Sequence, residues 1–179
     1  GILPDEGDNF ESAVKDEIGK CDVLVLSGGS SVGTRDHCSR VLEKLPSPGL
    51  MVRGINIVPG KPALIAGCLE EKKLIVSLPG HPLSCLTAAF VLLLPLLLRL
   101  VGANEERCGI KMQLPVLRDI TARTGPEEFV PCRVTAGGKI DPILAKSGYV
   151  SSLASADGFI RIPEDRETIR AGETAEVWL

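Results

Sequence analysis

Aromatic residues are scarce in this chain of 179 residues: four Phe, one Trp and one Tyr, 3% of the sequence. A surface that stacks single-stranded bases on successive rings is excluded by that shortage, and the core has to be aliphatic. An excess of basic charge is also lacking. Lys and Arg number 20 against 23 Asp and Glu, for a net charge of −3, so the electrostatic footprint of a nucleic-acid binder is missing. There are six cysteines but no Cys-x-x-Cys pair. That spacing argues against a zinc ribbon and against a dense disulfide scaffold, and predicts reduced thiols in the cytoplasm. The opening Gly1-Ile2-Leu3-Pro4-Asp5 has neither an initiator Met nor a basic-then-apolar leader, so it reads as a piece of a longer protein.

A membrane span is not expected either. The stretch from Leu86 to Leu98 carries no charge, but Pro95 interrupts it and Arg99 closes it. It falls short of the roughly 20 apolar residues that a span needs. We expect instead a long helix, from the turn before it to about Val101, buried between a sheet and a second layer or in a subunit interface.

Hydrophobic residues make up 44% and charged residues 24%, the balance of an ordinary globular chain. Asp8 or Asn9 can cap a helix running to about Ile18, with Phe10, Ala13, Val14 and Ile18 at helical spacing. The run Asp22-Val23-Leu24-Val25-Leu26-Ser27 suits a strand buried on both faces. A glycine-rich loop follows, then a helix from about Asp36 to Leu45. Met51 to Val58 and Lys73 to Leu78 read as strands, with a short one at Ala63 to Ala66. Strand, glycine loop and helix in succession predict an α/β domain of three layers with a mainly parallel sheet, over residues 1–104. From Ile110 the texture changes to short alternating runs, with Gly137-Gly138 as a hairpin turn. Residues 108–179 are expected to form a small all-β barrel domain.

Three turns carry the candidate chemistry. The first is Ser27-Gly28-Gly29-Ser30-Ser31-Val32-Gly33-Thr34-Arg35-Asp36. Its glycines let the backbone approach a ligand, its N–H groups can cradle an anion, and Ser30, Ser31 and Thr34 add hydroxyl donors. Asp36 would repel a phosphate unless it holds a metal ion or a water; equally, it caps the next helix. The required Gly and Lys spacings of a Walker loop or a dinucleotide fingerprint are absent. The second turn is Pro59-Gly60-Lys61-Pro62, which presents Lys61 from a stiff backbone to an oxyanion or simply to solvent. The third is Leu78-Pro79-Gly80-His81-Pro82-Leu83-Ser84, where Pro82 suits a first helical turn. His81 there either donates to phosphate, relays a proton, or makes a plain polar contact. All three turns follow strands, and at the carboxyl edge of a parallel sheet they would converge on one site. The residues by themselves point to an anionic, phosphate-bearing ligand.

The stretches SGGSSVGTRD, VPGKP and LPGHPLS, in this order, resemble the molybdopterin-binding domain of the molybdopterin molybdenumtransferase family, of the MoeA and gephyrin E-domain type. Gly1 to Asp5 resembles the family segment whose Asp lies near the active site, and Ser151 to Phe159 through Gly172-Glu173 resembles the family's C-terminal β-barrel. The resemblance covers essentially the whole chain. It implies that adenylylated molybdopterin and molybdate are converted to molybdenum cofactor and AMP with a divalent cation such as Mg2+. Under it, Asp5 and Asp36 act near the metal or molybdate, and Lys61 contacts anionic oxygen. Ser27, Gly28, Gly29, Ser30, Ser31, Gly33 and Thr34 shape the ligand loop, Pro59 and Gly60 hold the lysine turn, and Gly80, His81, Pro82 and Ser84 line the phosphate side. It further implies a homodimer in the full-length protein, with an adenylyltransferase as a partner. His81 replaces the family's usual Asn, and Val58 stands where many relatives have a polar residue. The family's first strand, its Gly-Asp-Glu turn and its N-terminal domains do not precede Gly1. We therefore expect this chain to be inactive alone. The alternatives are an adenylyltransferase-like enzyme, whose loop usually reads Gly-Gly-Thr-Gly and which has no β tail, and a pterin-binding module without chemistry.

Overall fold

The computed structural model describes residues 1–2, 7–28, 37–104, 109–144 and 150–179. The chain divides into two compact units. One comprises Gly1–Ile55 and Gly60–Ala88, the other Asn56–Pro59 and Ala89–Leu179.

The first unit opens with helix α1 (Gly7–Ile18) and strand β1 (Val23–Ser27). Helix α2 (His37–Glu43) and strand β2 (Pro48–Arg53) follow. The expected strand from Met51 to Val58 is in fact two. The chain turns at Gly54, whose φ is +78°, and where an added Cβ would sit 3.2 Å from the carbonyl oxygen of Lys61. Beyond the turn, β3 (Ile57–Val58) belongs to the second unit. Strands β4 (Leu64–Cys68) and β5 (Lys73–Leu78) complete the sheet, in the order β1-β5-β4-β2.

This sheet is mixed, which corrects the expectation of a mainly parallel one. Only β1 and β5 run parallel; β4 is antiparallel to both β5 and β2. The cause is the short connection. Four residues, Leu69 to Lys72, join β4 to β5, and a parallel crossover needs a dozen or more. Nor is β1 buried on both faces. It ends the strand order, and Val25 is 44% exposed. Ile18, Cys38, Leu42, Leu64, Ala66 and Ile75 form the buried cluster beneath α1 and α2.

Glu11 ties the two helices together at the surface. Its carboxylate takes Lys15 at 2.9 Å and Lys44 at 2.7 Å. The hydrogen bond from Lys44, and then that from Lys15, hold this carboxyl at about 2. A carboxyl lowered in the folded state stabilises above its unfolded value of about 4.3 and loses that contribution as pH falls. Glu11→Gln is expected to lower the urea midpoint modestly at pH 7. The difference should shrink below pH 4.5 and vanish near pH 2, as a denaturation series across that range would record.

The helix after β5 begins as α3 (Pro82–Ala88), widens into a π-helical stretch over Ala89–Leu93, and resumes as α4 (Leu94–Leu100). Pro95 lies in the first turn of α4. Its missing N–H and its ring are incompatible with a regular i to i−4 ladder at that point, and a π-turn accommodates such a break. By length and composition Pro82–Leu100 could cross a membrane. The expected burial within the chain holds only for Leu83, Thr87 and Ala88; no residue of Ala89–Leu100 is fully buried. Even so, Phe90 packs its ring on Phe159 and Trp178, at 5.9 and 6.1 Å between centroids.

The second unit is the β domain, with a short helix in it. Its strands are β3, β6 (Lys111–Pro115), β7 (Ile120–Thr121), β8 (Glu127–Val134), β9 (Ile140–Pro142), β10 (Gly158–Ile162), β11 (Thr168–Ile169) and β12 (Thr174–Trp178). The sheet order is β3-β8-β10-β12-β6, with β9 also on β8. Val116, directly after β6, bridges Ile140 of β9, which brings the curled sheet round toward itself. The hairpin at Gly137-Gly138 joins β8 to β9 as the sequence suggested, with Gly138 at a φ of +68°. Helix α5 (Val150–Ala154) was not anticipated. Val116, Ile120, Ile140, Ile160, Ile162, Ile169 and Val177 fill the interior, but Phe129 and Phe159 are buried as well, so the core is aliphatic only in part. Cys132 lies in it; burial, and secondarily the charge of Asp157, push its thiol up to about 12.

Candidate site at one edge of the mixed sheet

Apart from Pro59, the described part of the site lies in the first unit. The parallel register pairs Ser27 with Leu78, so the ends of β1 and β5 stop side by side. The chain then leaves β1 into the glycine loop and leaves β5 into the Pro79-Gly80-His81 turn. The two exits touch through backbone. The Gly28 N–H donates to the carbonyl of Leu78 at 3.1 Å, and a Cβ placed on Gly80 would stand 3.4 Å from the Gly28 Cα. The glycines serve for different reasons. Gly28 has a φ of +90°, a conformation that costs an L side chain about 1–2 kcal/mol. Gly80 instead lies against Gly28, where an added Cβ would reach van der Waals contact.

Lys61 reaches this edge by another route than expected. Its turn is not at the carboxyl end of a parallel strand. It enters β4, which runs the other way, and the antiparallel register sets Leu64 beside Ser77. The start of β4 therefore lies next to the end of β5, and the lysine turn arrives at the same edge. Ile55 N–H donates to the Lys61 carbonyl at 2.9 Å and Ala63 N–H to that of Gly60 at 3.3 Å. Those bonds leave the exposed side chain of Lys61 as the mobile part of a fixed turn. Pro59 precedes this turn, and Gly60 has a φ of +129°.

His81 is exposed, and its carbonyl accepts the N–H of Cys85 at 2.8 Å, which starts helix α3. Pro82 begins α3, and Ser84 is half-buried in its first turn. Two residues missed by sequence reasoning flank the end of β1. Cys38 donates its thiol to the Gly28 carbonyl at 3.4 Å, and Cys85 lies 3.7 Å from the hydroxyl of Ser27. The second contact spans 58 positions, and no local spacing could have announced it.

Asp5, Gly29, Ser30, Ser31, Gly33, Thr34 and Asp36 lie outside the described residues. Among the described residues no group of three or more His, Cys, Asp or Glu side chains could hold a metal ion. At this edge they contribute hydroxyls, an ammonium and an imidazole, and no carboxylate. A hard divalent cation prefers carboxylate oxygen, and the described residues at this edge offer none.

A sheet edge where glycine- and proline-rich turns meet in an α/β domain, followed by a β domain, defines a class, and comparison with known proteins gives it a family. Residues 1–99 match the family model described as "Probable molybdopterin binding domain", and residues 113–179 match the MoeA C-terminal region, domain IV. The chain belongs to this molybdopterin-binding family, and its two family matches, in this order, mark a MoeA-type fragment. A protein named for molybdopterin biosynthesis in Methanocaldococcus jannaschii is 31% identical over 99% of this chain and 41% of its own length. The molybdopterin molybdenumtransferase of Haemophilus influenzae is 29% identical over 99% of this chain and 44% of its own. Among solved structures, the molybdopterin biosynthesis MoeA protein of Pyrococcus horikosii superposes with a TM-score of 0.82 at 35% identity, covering all of this chain and 42% of that one. The chain thus spans less than half the length of these relatives.

Proposed function

We propose that this chain carries the pterin-binding edge and the C-terminal β domain of a molybdopterin molybdenumtransferase. Such an enzyme inserts molybdate into adenylylated molybdopterin and releases AMP. The observation that carries the reading is the meeting of three sequence-distant turns, at Gly28, Lys61 and Gly80, on one sheet edge of a chain in this family. The relatives bearing the molybdenumtransferase name support it.

In this reading the backbone N–H groups of the glycine loop hold anionic oxygen, helped by the hydroxyls of Ser27, Ser30, Ser31 and Thr34. Ser84, with Gly80 and Pro82, closes the phosphate side. Lys61 holds an anionic oxygen from the opposite turn as a flexible point charge. Asp5 and Asp36 hold Mg2+, which when bound neutralises phosphate or molybdate charge. The protein works in the cytoplasm as a homodimer and receives its adenylylated substrate from an adenylyltransferase. Turnover needs segments beyond these 179 residues, in keeping with the share of the relatives that the chain spans.

The test combines binding and turnover. Calorimetry should detect adenylylated molybdopterin binding to this chain, and Asp36→Ala in the protein carrying the remaining segments should abolish AMP release while pterin binding persists. AMP release undiminished in Asp36→Ala would sink the catalytic assignment. A folded chain and a folded longer protein that both fail to bind the pterin would sink the reading as a whole.

A further inference from the structure

The lysine turn is held by two sets of bonds. At its base, the Gly54 N–H donates to the Ala63 carbonyl at 2.8 Å and the Ile55 N–H to that of Lys61 at 2.9 Å. At its tip, from Asn56 to Pro59, the bonds run to β8. Ile57 and Val58, the two residues of β3, pair in parallel with Glu127 and Glu128. Just before them, the Asn56 carbonyl accepts the Glu127 N–H at 3.0 Å. The side-chain amide of Asn56 also donates to the Gly125 carbonyl at 2.6 Å, across 69 positions of sequence. Gly125 is itself pinned, since its N–H donates to the Glu164 carbonyl at 3.0 Å. Asn56 is exposed, so its amide serves no buried polar network.

We infer that Asn56 is a positioning residue for Lys61: its amide fastens the tip of the turn, so that the ammonium meets a phosphate-bearing ligand from a backbone already in place. This rests on the reading of the edge as a pterin-phosphate site. The physical ground is the shortness of β3. Two residues paired in parallel make few hydrogen bonds, and slanted ones, which is a weak hold on a turn. The Asn56 amide adds a bond immediately before β3, to a carbonyl whose own place is fixed. Lys61 follows Val58 after only Pro59 and Gly60, and the proline ring locks its own φ, so slack at β3 is passed on to Lys61. An ammonium on a flexible stem loses freedom when it binds. A fastened turn confines that loss to the side chain. Asn56 therefore acts on binding through Lys61, which distinguishes it from a residue that only supports the fold.

The experiment is a double-mutant cycle, read by calorimetric binding of molybdopterin to this chain. Asn56→Ala should weaken binding about fivefold, the scale of one net hydrogen bond. In a Lys61→Ala background the same change should weaken it less than about twofold, because the group that Asn56 positions is gone. Asn56→Ser, whose hydroxyl is a shorter donor at the same place, should keep part of the affinity, and it supplies the same cycle if the alanine variant does not fold. Equal losses in both backgrounds would mean that Asn56 supports the fold in general, and would overturn the inference. Undiminished binding in Asn56→Ala would overturn it too, and either result leaves the pterin reading standing. If the folded parent does not bind the pterin, the reading of the edge fails and this inference with it.

Discussion

Lys61→Ala should weaken molybdopterin binding to this chain at least tenfold, a loss of about 1.4 kcal/mol. Charge-assisted contacts to a charged group are worth about 1.5–3 kcal/mol, and an exposed ammonium sits at the low end of that range. The turn should survive the change. Its hydrogen bonds, from Ile55 to the Lys61 carbonyl and from Ala63 to the Gly60 carbonyl, use backbone only. The loss should therefore appear without a shift in the urea midpoint. It should narrow as salt is raised, because screening reaches an exposed pair readily. Lys20→Ala is the control: it removes the same charge from the end of α1, where Lys20 pairs with Glu17, and should leave binding unchanged. Equal affinity in Lys61→Ala and the parent chain would remove Lys61 from the site.

The second large effect concerns stability. Gly158→Ala should destabilise the β domain by about 3 kcal/mol, the upper part of the range for overpacking. Gly158 opens β10 opposite Cys132 of β8. A Cβ there would run into the Trp178 carbonyl oxygen, with Leu179 Cδ2 at 2.9 Å beyond it. The obstacle is backbone of β12, which is already fixed by pairing on β10 and β6. Relief would mean opening the sheet beside the Phe129 and Trp178 ring contact. Gly172 gives the comparison. It has a φ of +88° and nothing within 4 Å of an added Cβ. Its alanine variant should cost only about 1 kcal/mol, through backbone strain. An ordinary strand glycine would gain from alanine, by about 0.5–1 kcal/mol. A gain at Gly158, or equal losses at the two glycines in urea titrations, would mean that the strands have room to move apart.

Local signals in the sequence were enough for α1, α2 and the β8–β9 hairpin. The first and last are written in consecutive residues: helical spacing from Phe10 to Ile18, and a glycine pair between Val134 and Ile140. The three candidate turns were also legible as turns, because glycine and proline punctuate a chain whatever surrounds it.

What tertiary structure decided was pairing. Strand direction is a relation between segments. The short turn from Leu69 to Lys72 makes β4 antiparallel, and that reversal brings Lys61 to the edge where β1 and β5 end. The loss of regular helix near Pro95 and the exposed position of β1 likewise depend on what packs nearby. So do the approach of Cys85 to Ser27 and of Gly80 to Gly28. The sequence by itself determined which residues could hold an anion, since that is a property of side chains and local backbone. That Ser27, Gly28, Lys61, Gly80 and His81 share one edge was settled by strand register, because hydrogen-bonded pairing fixes which strand ends lie side by side.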